Sequence, residues 1–222
     1  MAVPRLDGPR WPVRHSPIMA NLKSICVYCG SADGVDPAYA AAAAQFGKLL
    51  AQSGIRLVYG GGSVGLMGIV ARNVMAAGGE VTGIIPQFLL EREVMLKEVT
   101  ELVVTPDMHE RKRIMFERSD AFVALPGGIG TLEETVEMLT WAQLGRHAKP
   151  VALANIKGFW DPLKELLEHM QAQGFLAKHF IGRSGEVPYH LVPTVAELIP
   201  TLRDAVAALP EVKPGADAAR VM

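Results

Sequence analysis

Short apolar segments alternate along this chain with longer segments whose apolar residues repeat at helical spacing. The alternation predicts strands near residues 24–29, 55–59, 81–85, 99–104, 120–125 and 150–154, and helices near residues 37–53, 64–77, 107–118, 131–144, 160–173 and 195–208. Strands that are separated by helices pair in parallel, so the pattern predicts an α/β fold of the Rossmann-like, doubly wound kind. Its parallel sheet has helices on both faces. Residues 86–97 break the alternation and are predicted to form a loop with a short helix over the carboxyl edge of the sheet.

The chain length and its two ends predict one folded domain over residues 21–210. A chain of 222 residues suits one α/β domain with a substantial core. Residues 1–20 carry four prolines and no apolar segment of the kind found in signal peptides, so we expect a disordered N-terminal extension. Residues 211–222 are expected to form a disordered tail.

Charge and composition exclude several classes of function. The formal net charge is only −1, so the chain lacks the basic footprint of a nucleic-acid-binding protein. No apolar run approaches the roughly 18 residues of a membrane span. Cys26 and Cys29 form a C-x-x-C pair, but residues three apart on a strand point to opposite faces of the sheet. No histidine cluster completes a metal site either, so we predict structural cysteines, no metal, no cofactor and a cytoplasmic location.

The segment 120–134 reads D-A-F-V-A-L-P-G-G-I-G-T-L-E-E and predicts an anion-binding turn between a strand and a helix. Gly127, Gly128 and Gly130 let backbone N–H groups approach an anion closely, and the following helix start adds its positive dipole end. The turn lacks the Lys-Ser/Thr pair of a P-loop, which argues against ATP or GTP hydrolysis. Thr131 and Glu134 also fit a capping box, and this purely structural alternative stays open on the motif alone.

A second glycine cluster follows the strand near residues 55–59. Gly60, Gly62 and Gly65 fit the dinucleotide fingerprint G-x-G-x-x-G, but this turn is the second βα turn, and Glu80 precedes the next strand instead of ending it. We therefore expect no dinucleotide. The two glycine turns are predicted to lie side by side at the carboxyl edge of the sheet, with Gly61 and Gly62 helping to line a crevice of nucleotide size.

A charged segment, D-M-H-E-R-K-R at residues 107–113, begins the third predicted helix. Charge runs are usually solvated helix faces, and this alternative stays open. Arg111 and Lys112 are adjacent, so only one of them can face the crevice, where it can bind a phosphate or neutralise substrate charge. His109 is interpreted as a surface residue.

These segments together resemble the Lonely Guy (LOG) family, whose members release cytokinin bases and were long labelled as lysine decarboxylases. The resemblance covers about residues 23–176 and rests on five motifs in order: V-Y-C-G-S at 27–31, Y-G-G-G-S-V-G-L-M-G at 59–68, M-H-E-R-K at 108–112, P-G-G-I-G-T-L-E-E at 126–134 and W-A-Q-L-G at 141–145. It implies a Rossmann-like hydrolase, usually dimeric in its shorter members, that cleaves the N-glycosidic bond of adenine-type nucleoside 5′-monophosphates without a cofactor. The family's catalytic pair falls on Arg111 and Glu134. Its substrate-binding positions fall on Glu93, Lys112, Gly127, Gly128, Gly130, Thr131 and Glu133, with the variable position Ile129 inside the phosphate loop.

The chemistry of the bond fits this assignment. Breaking the C1′–N9 bond passes through an oxocarbenium-like state, which a carboxylate at Glu134 would stabilise while it orients or deprotonates water. Arg111 cannot give up its proton and is assigned an electrostatic role. Two alternatives remain open: a general AMP nucleosidase, and a non-catalytic nucleotide-binding or carrier module.

A homodimer is expected as well. Apolar residues cover more of the predicted helix 131–144 than the one face that packs on its own sheet, namely Leu132, Val136, Met138, Leu139, Trp141 and Ala142. The preceding helix adds Met108, Ile114, Met115 and Phe116. We expect the dimer to bring the Arg111 helix of one subunit to the Gly127–Thr131 turn of the other.

Overall fold

One parallel sheet of seven strands forms the centre of the computed structural model, which describes residues 22–90, 95–176 and 189–209. The strands are β1 (Ser24–Tyr28), β2 (Arg56–Tyr59), β3 (Val81–Pro86), β4 (Glu101–Thr105), β5 (Ala121–Ala124), β6 (Val151–Ala154) and β7 (His190–Val192). The four central strands β2, β1, β5 and β6 are almost entirely buried, as expected of a parallel sheet covered on both faces.

Six α-helices accompany these strands within the described residues: α1 (Pro37–Gln52), α2 (Gly65–Ala76), α3 (Met108–Glu117), α4 (Ile129–Gln143), α5 (Asp161–Ala172) and α6 (Val195–Ala207). Helices α1, α2 and α6 bury apolar side chains against one face of the sheet. Helices α3, α4 and α5 pack against the other face, around Met115, Met138 and Trp160. The predicted α/β architecture with helices on both faces is confirmed.

The strand order β4-β3-β2-β1-β5-β6-β7 places the switch point of the sheet between β1 and β5. From β1 the chain builds outward to β4 and then returns to the other side of β1 as β5. At such a point the turns after the two neighbouring strands diverge and leave a crevice at the carboxyl edge, where doubly wound proteins bind ligands. The predicted glycine turn at Gly127 follows β5 and therefore lies at this crevice.

The boundaries of the elements agree with the predicted ones to within two residues, and one strand was missed. The predicted short helix after β3 is present as a single turn at Gln87–Leu89. Strand β7 was not predicted because it has only three residues. The expected disorder of residues 1–20 and 211–222 lies outside the described residues, as does Glu93.

The two cysteines lie on opposite sides of the sheet. Cys26 packs in the core under α3 and α4, whereas Cys29 packs in the core under α1 and α2. Both are buried free thiols. Burial raises the pKa of each thiol, which makes both poor nucleophiles. The prediction that the C-x-x-C pair is structural fits this geometry.

Helices long and apolar enough to cross a membrane are absent from the three described ranges. Groups of three or more side chains that could hold a metal ion are absent from the same ranges.

Candidate functional site

The turns after β1 and β5 are joined by backbone hydrogen bonds at the bottom of the crevice. The Gly30 N–H donates to the Pro126 carbonyl at 3.1 Å, and the Leu125 N–H donates to the Tyr28 carbonyl at 2.9 Å. These bonds fix the start of the turn that carries Gly127. Because β1 lies between β2 and β5, its turn separates the two glycine turns, which were predicted to lie side by side.

The glycine turn leads into α4 without a side-chain cap. Gly128 is the N-cap residue, the helix begins at Ile129, and Thr131 lies inside its first turn. The capping-box alternative for Thr131 and Glu134 is therefore wrong. The Thr131 side chain is buried and packs back on the turn, since a Cβ at Gly127 would lie 2.2 Å from the Thr131 hydroxyl oxygen.

The outer surface of this turn is open. A Cβ at Gly128 or at Gly130 would meet no atom within 4 Å, and the Ile129 side chain is 82% exposed. Glycine is thus not required at Gly128 and Gly130 by packing within the chain, but it leaves the backbone accessible. An accessible backbone at a helix N-terminus suits a phosphate.

Arg111 and Glu134 meet at the crevice. The Arg111 Nη2 atom lies 3.9 Å from Glu134 Oε1, and the two side chains are 9% and 14% exposed. Arg111 also donates from Nη2 to the Gly60 carbonyl at 3.4 Å. Its Nε atom is buried and makes no hydrogen bond with the described residues. The pair is too long for a direct hydrogen bond, so both groups keep capacity to bind a ligand.

Burial gives Glu134 a proton affinity suited to acid–base work. Desolvation raises the pKa of its carboxyl group from 4.5 to about 7, although the Arg111 guanidinium opposes the shift. Glu133 and Glu137 add to the rise, and Lys112 opposes it. A carboxyl group with a pKa near neutrality exchanges protons at physiological pH, as general acid–base catalysts do.

The Arg111 guanidinium packs directly against the backbone of Gly60. A Cβ at Gly60 would lie 2.1 Å from Arg111 Nη2, so a side chain here displaces the mobile end of the arginine and leaves the backbone in place. We expect Gly60→Ala to lower kcat/KM by about tenfold or more with little change in melting temperature. Nucleotide hydrolysis and calorimetry on the same sample test this. Unchanged kcat/KM would mean that the position of Arg111 has no effect on the reaction.

Among the other glycines of the second cluster, Gly65 is required by the packing of the chain itself, and the lining of the crevice by Gly61 and Gly62 stays a prediction. Gly65 has φ +61 and lies so close to the turn after β1 that a Cβ would be 2.2 Å from the Ser31 carbonyl carbon. Gly61 has φ +82, and Gly62 forms a β-bridge with Met95. Glu80 binds Arg56 at 2.7 Å beside the amino ends of β2 and β3, away from the crevice. The geometry thus agrees with the prediction that this cluster is no dinucleotide fingerprint.

Lys112 is held by two carboxylates of α4. Its Nζ atom donates to Glu133 Oε1 at 2.7 Å and to Glu137 Oε1 at 3.1 Å. Desolvation lowers the pKa of Lys112, but these two hydrogen bonds outweigh it and the net shift is upward. Glu137 was not singled out from the sequence. Its signal was available, because residues 133 and 137 are one turn apart and share a helix face.

Comparisons with known proteins define the family. The family described as "Possible lysine decarboxylase" matches residues 67–199. The cytokinin riboside 5′-monophosphate phosphoribohydrolase LOG of Oryza sativa subsp. japonica is 50% identical over 159 residues, which are 72% of this chain and 66% of the relative. The corresponding enzyme LOG1 of Arabidopsis thaliana is 43% identical over 192 residues, covering 85% of this chain and 86% of the relative.

The chain belongs to the LOG family. The resemblance inferred from the five motifs is therefore confirmed. Among solved structures, the molybdenum cofactor carrier protein of Chlamydomonas reinhardtii matches with a TM-score of 0.64 and 23% identity, over 85% of this chain and 100% of that one. At this identity the match supports the α/β fold alone and no particular ligand.

Proposed function

We propose that this protein hydrolyses the N-glycosidic bond of cytokinin riboside 5′-monophosphates, which are N6-substituted forms of AMP. The products are the free base and ribose 5-phosphate. The observation that carries the proposal is the buried Arg111–Glu134 pair beside an open glycine turn at the switch point of the sheet. The relatives from rice and Arabidopsis are named for this activity.

The reaction uses the two members of the pair differently. As the C1′–N9 bond breaks, its electron pair leaves with the base, and the positive charge that develops on the ribose is stabilised by the Glu134 carboxylate. A water oxygen forms the new bond to C1′, and its proton passes to Glu134. Arg111 remains protonated throughout and stabilises negative charge on the departing base or on the phosphate. The departing base takes up one proton from solvent and Glu134 returns its proton to solvent, so the net reaction consumes one water.

Among the remaining predicted positions, Glu93 lies outside the described residues, and Gly61 and Gly62 stay candidates for the lining of the crevice. The others divide into two groups. The turn from Gly127 to Thr131 binds the 5′-phosphate through its backbone N–H groups and the α4 dipole. Lys112 and Glu133 lie on the adjoining surface, where the resemblance to the family assigns them to substrate binding.

The family description as a possible lysine decarboxylase is not supported by the lysine of the site. A decarboxylase that works through a Schiff base needs a lysine of the protein to form it, and this requires a lowered pKa of the lysine ammonium group. The pKa of Lys112 is raised instead. Lys149 does have a pKa lowered by burial, to about 8, but it lies before β6 at the opposite edge of the sheet, over the Phe116 ring.

Product analysis tests the proposal. The purified protein is incubated separately with N6-isopentenyl-AMP and with AMP, and ribose 5-phosphate and free base are quantified. Release of both products from the N6-substituted nucleotide is expected. Faster release from AMP would make the protein a general AMP nucleosidase. Tight binding of both nucleotides without either product would make it a carrier.

The pH dependence of kcat/KM is expected to follow Glu134. The carboxylate is the working form, so kcat/KM should rise about tenfold per pH unit below a pKa of about 7 and level off above it. The raised pKa also affects stability, because the folded protein binds the Glu134 proton more tightly than the unfolded chain does. This contribution to the free energy of unfolding is fully present below pH 4.5 and is lost as the pH rises through about 7. Steady-state kinetics from pH 5 to 9 test the profile. A flat profile across neutrality would contradict it.

We also propose that the working unit is a homodimer formed through α4 and α5. Met115 and Met138, which were expected to contribute to an interface, are buried in their own subunit. What remains is an apolar groove of about 200 Å³ between the two helices, lined by Leu132, Val136, Leu139, Thr140, Gln143, Leu163, Leu166, Leu167, Met170 and Leu176. Arg111 lies 3.9 Å from Glu134 of its own chain. That the dimer also brings the Arg111 helix of one subunit to the Gly127–Thr131 turn of the other stays a prediction.

Sedimentation at low micromolar concentration is expected to give about twice the chain mass of 23.9 kDa. Val136 and Leu166 are 39% and 48% exposed on the rim of this groove. Val136→Glu combined with Leu166→Glu should therefore shift the protein to a monomer by introducing unpaired charges into the interface. A wild-type monomer with full activity would refute the dimer.

A cytoplasmic location is proposed because both cysteine thiols are free. Both cysteines are free and buried, and neither bonds to the other. Free thiols persist where glutathione and thioredoxin keep the compartment reducing.

A further inference from the structure

Two carboxylates and one ammonium form a cluster beside the Arg111–Glu134 pair, which we call the Lys112 triad: Lys112, Glu133 and Glu137. The Lys112 Nζ atom lies 2.7 Å from Glu133 and 3.1 Å from Glu137, and its side chain is only 17% exposed. Glu133 and Glu137 are one turn apart on α4, and Glu134 lies between them in sequence. The triad is therefore built on the helix that carries Glu134, and it carries one more negative charge than positive.

The second carboxylate oxygen of Glu137 is unusual. Glu137 Oε2 is buried and makes no hydrogen bond with the described residues. Leaving a buried acceptor unpaired is costly, more so for an ionised group, and the hydrogen bond from Lys112 uses only Oε1 of Glu137. Retaining the charge at this position calls for an electrostatic explanation.

We propose that Glu137 is a positioning residue: together with Glu133 it holds the Lys112 ammonium on this face of α4, so that Lys112 does not neutralise Glu134. Its role in turnover rests on the proposed hydrolysis, in which Glu134 accepts a proton from water. Without Glu137, the Lys112 ammonium loses one of its two hydrogen bonds to carboxylates. It also loses one of the two negative charges that compensate its positive charge.

Glu134 is surrounded by titratable groups from three parts of the chain, and their balance sets the direction of the expected effect. Burial dominates, Arg111 and Lys112 favour the carboxylate, and Glu133 and Glu137 disfavour it. On the strand side the thiols and the phenol are neutral at pH 7, since burial raises the pKa of each of Cys26, Tyr28 and Cys29. Removal of the negative charge of Glu137 removes one of the groups that raise the pKa of Glu134. The positive charges of Arg111 and Lys112 then lower this pKa further.

The test is a direct titration of the Glu134 carboxyl group. The full-length protein is labelled with ¹³C at glutamate side chains, and its carboxyl resonances are followed from pH 4 to 9, with Glu134→Gln identifying the Glu134 signal. Glu137→Gln is expected to lower the Glu134 pKa by at least about half a unit, and Glu137→Asp by less. Glu168→Gln is the matched control, because Glu168 pairs with Lys164 on exposed α5 and should leave the Glu134 pKa unchanged.

The pH profile of kcat/KM supplies the second readout. In Glu137→Gln its acid limb should move to lower pH by the same amount, which a purely structural role of Glu137 would not produce. An unchanged Glu134 pKa in Glu137→Gln overturns the proposal. If Glu137→Gln does not fold, the titration of Glu137→Asp decides, and an unchanged pKa there overturns the proposal too. Because the titration needs no substrate, a lowered pKa without any nucleotide hydrolysis would reject the proposed function and leave this role of Glu137 standing.

Discussion

Glu134→Gln is expected to lower the rate of base release by about two orders of magnitude or more, with nucleotide binding largely retained. The amide keeps the shape of the side chain, but it neither accepts a proton from water nor carries the charge that stabilises an oxocarbenium-like ribose. Single-turnover assays measure the chemical step, and titration calorimetry with the unreacted nucleotide measures binding. Comparing the two separates loss of chemistry from loss of affinity.

The structure makes this result interpretable. Helix α4 begins at Ile129 with Gly128 as its N-cap, so Glu134 is no capping residue and its replacement removes no cap. Glu168→Gln, on α5, serves as the control for the general effect of a glutamate-to-glutamine change and should retain full turnover. Wild-type turnover in Glu134→Gln would show that the pair with Arg111 is only an ion pair of the fold.

The fold was predictable because each strand and helix carries its own periodic signal. The apolar segments of β1, β2, β5 and β6 are continuous, as strands buried on both faces are, and the helices between them are long enough to show their period. The exception is β7, where a three-residue strand offers too few positions for any period to appear.

The sequence singled out Arg111 and Glu134, which the structure places 3.9 Å apart, but it did not predict the contacts that hold them there. The glycine turn lies where a strand meets a helix, which is a local signal in sequence. The hydrogen bond from Arg111 to the Gly60 carbonyl joins residues 51 positions apart, and no local sequence pattern predicts such a contact. Gly60 and Gly65 are glycines because a side chain or the backbone of the chain itself approaches them, which the sequence did not predict, and the lining of the crevice by Gly61 and Gly62 stays a prediction.

The capping box failed for a related reason. Thr131 and Glu134 have the right spacing, but the motif gives no information about where the helix begins. The helix starts two residues before Thr131, with Gly128 as its N-cap, and the Thr131 hydroxyl packs on Gly127.

Removal of the 5′-phosphate is expected to lower kcat/KM by about two orders of magnitude or more, so that a cytokinin riboside is a very poor substrate beside its 5′-monophosphate. In the proposed function the phosphate binds the backbone at Gly128 and Gly130, around which the structure leaves open space, and this binding is expected to hold C1′ beside Glu134. Ile129→Asp provides a matched variant, because an acidic residue in the first helical turn favours α4 but repels the phosphate. It should slow hydrolysis of the monophosphate alone and narrow the gap between the two substrates. Equal kcat/KM for riboside and monophosphate in the wild-type protein would show that the glycine turn does not position the substrate through a phosphate.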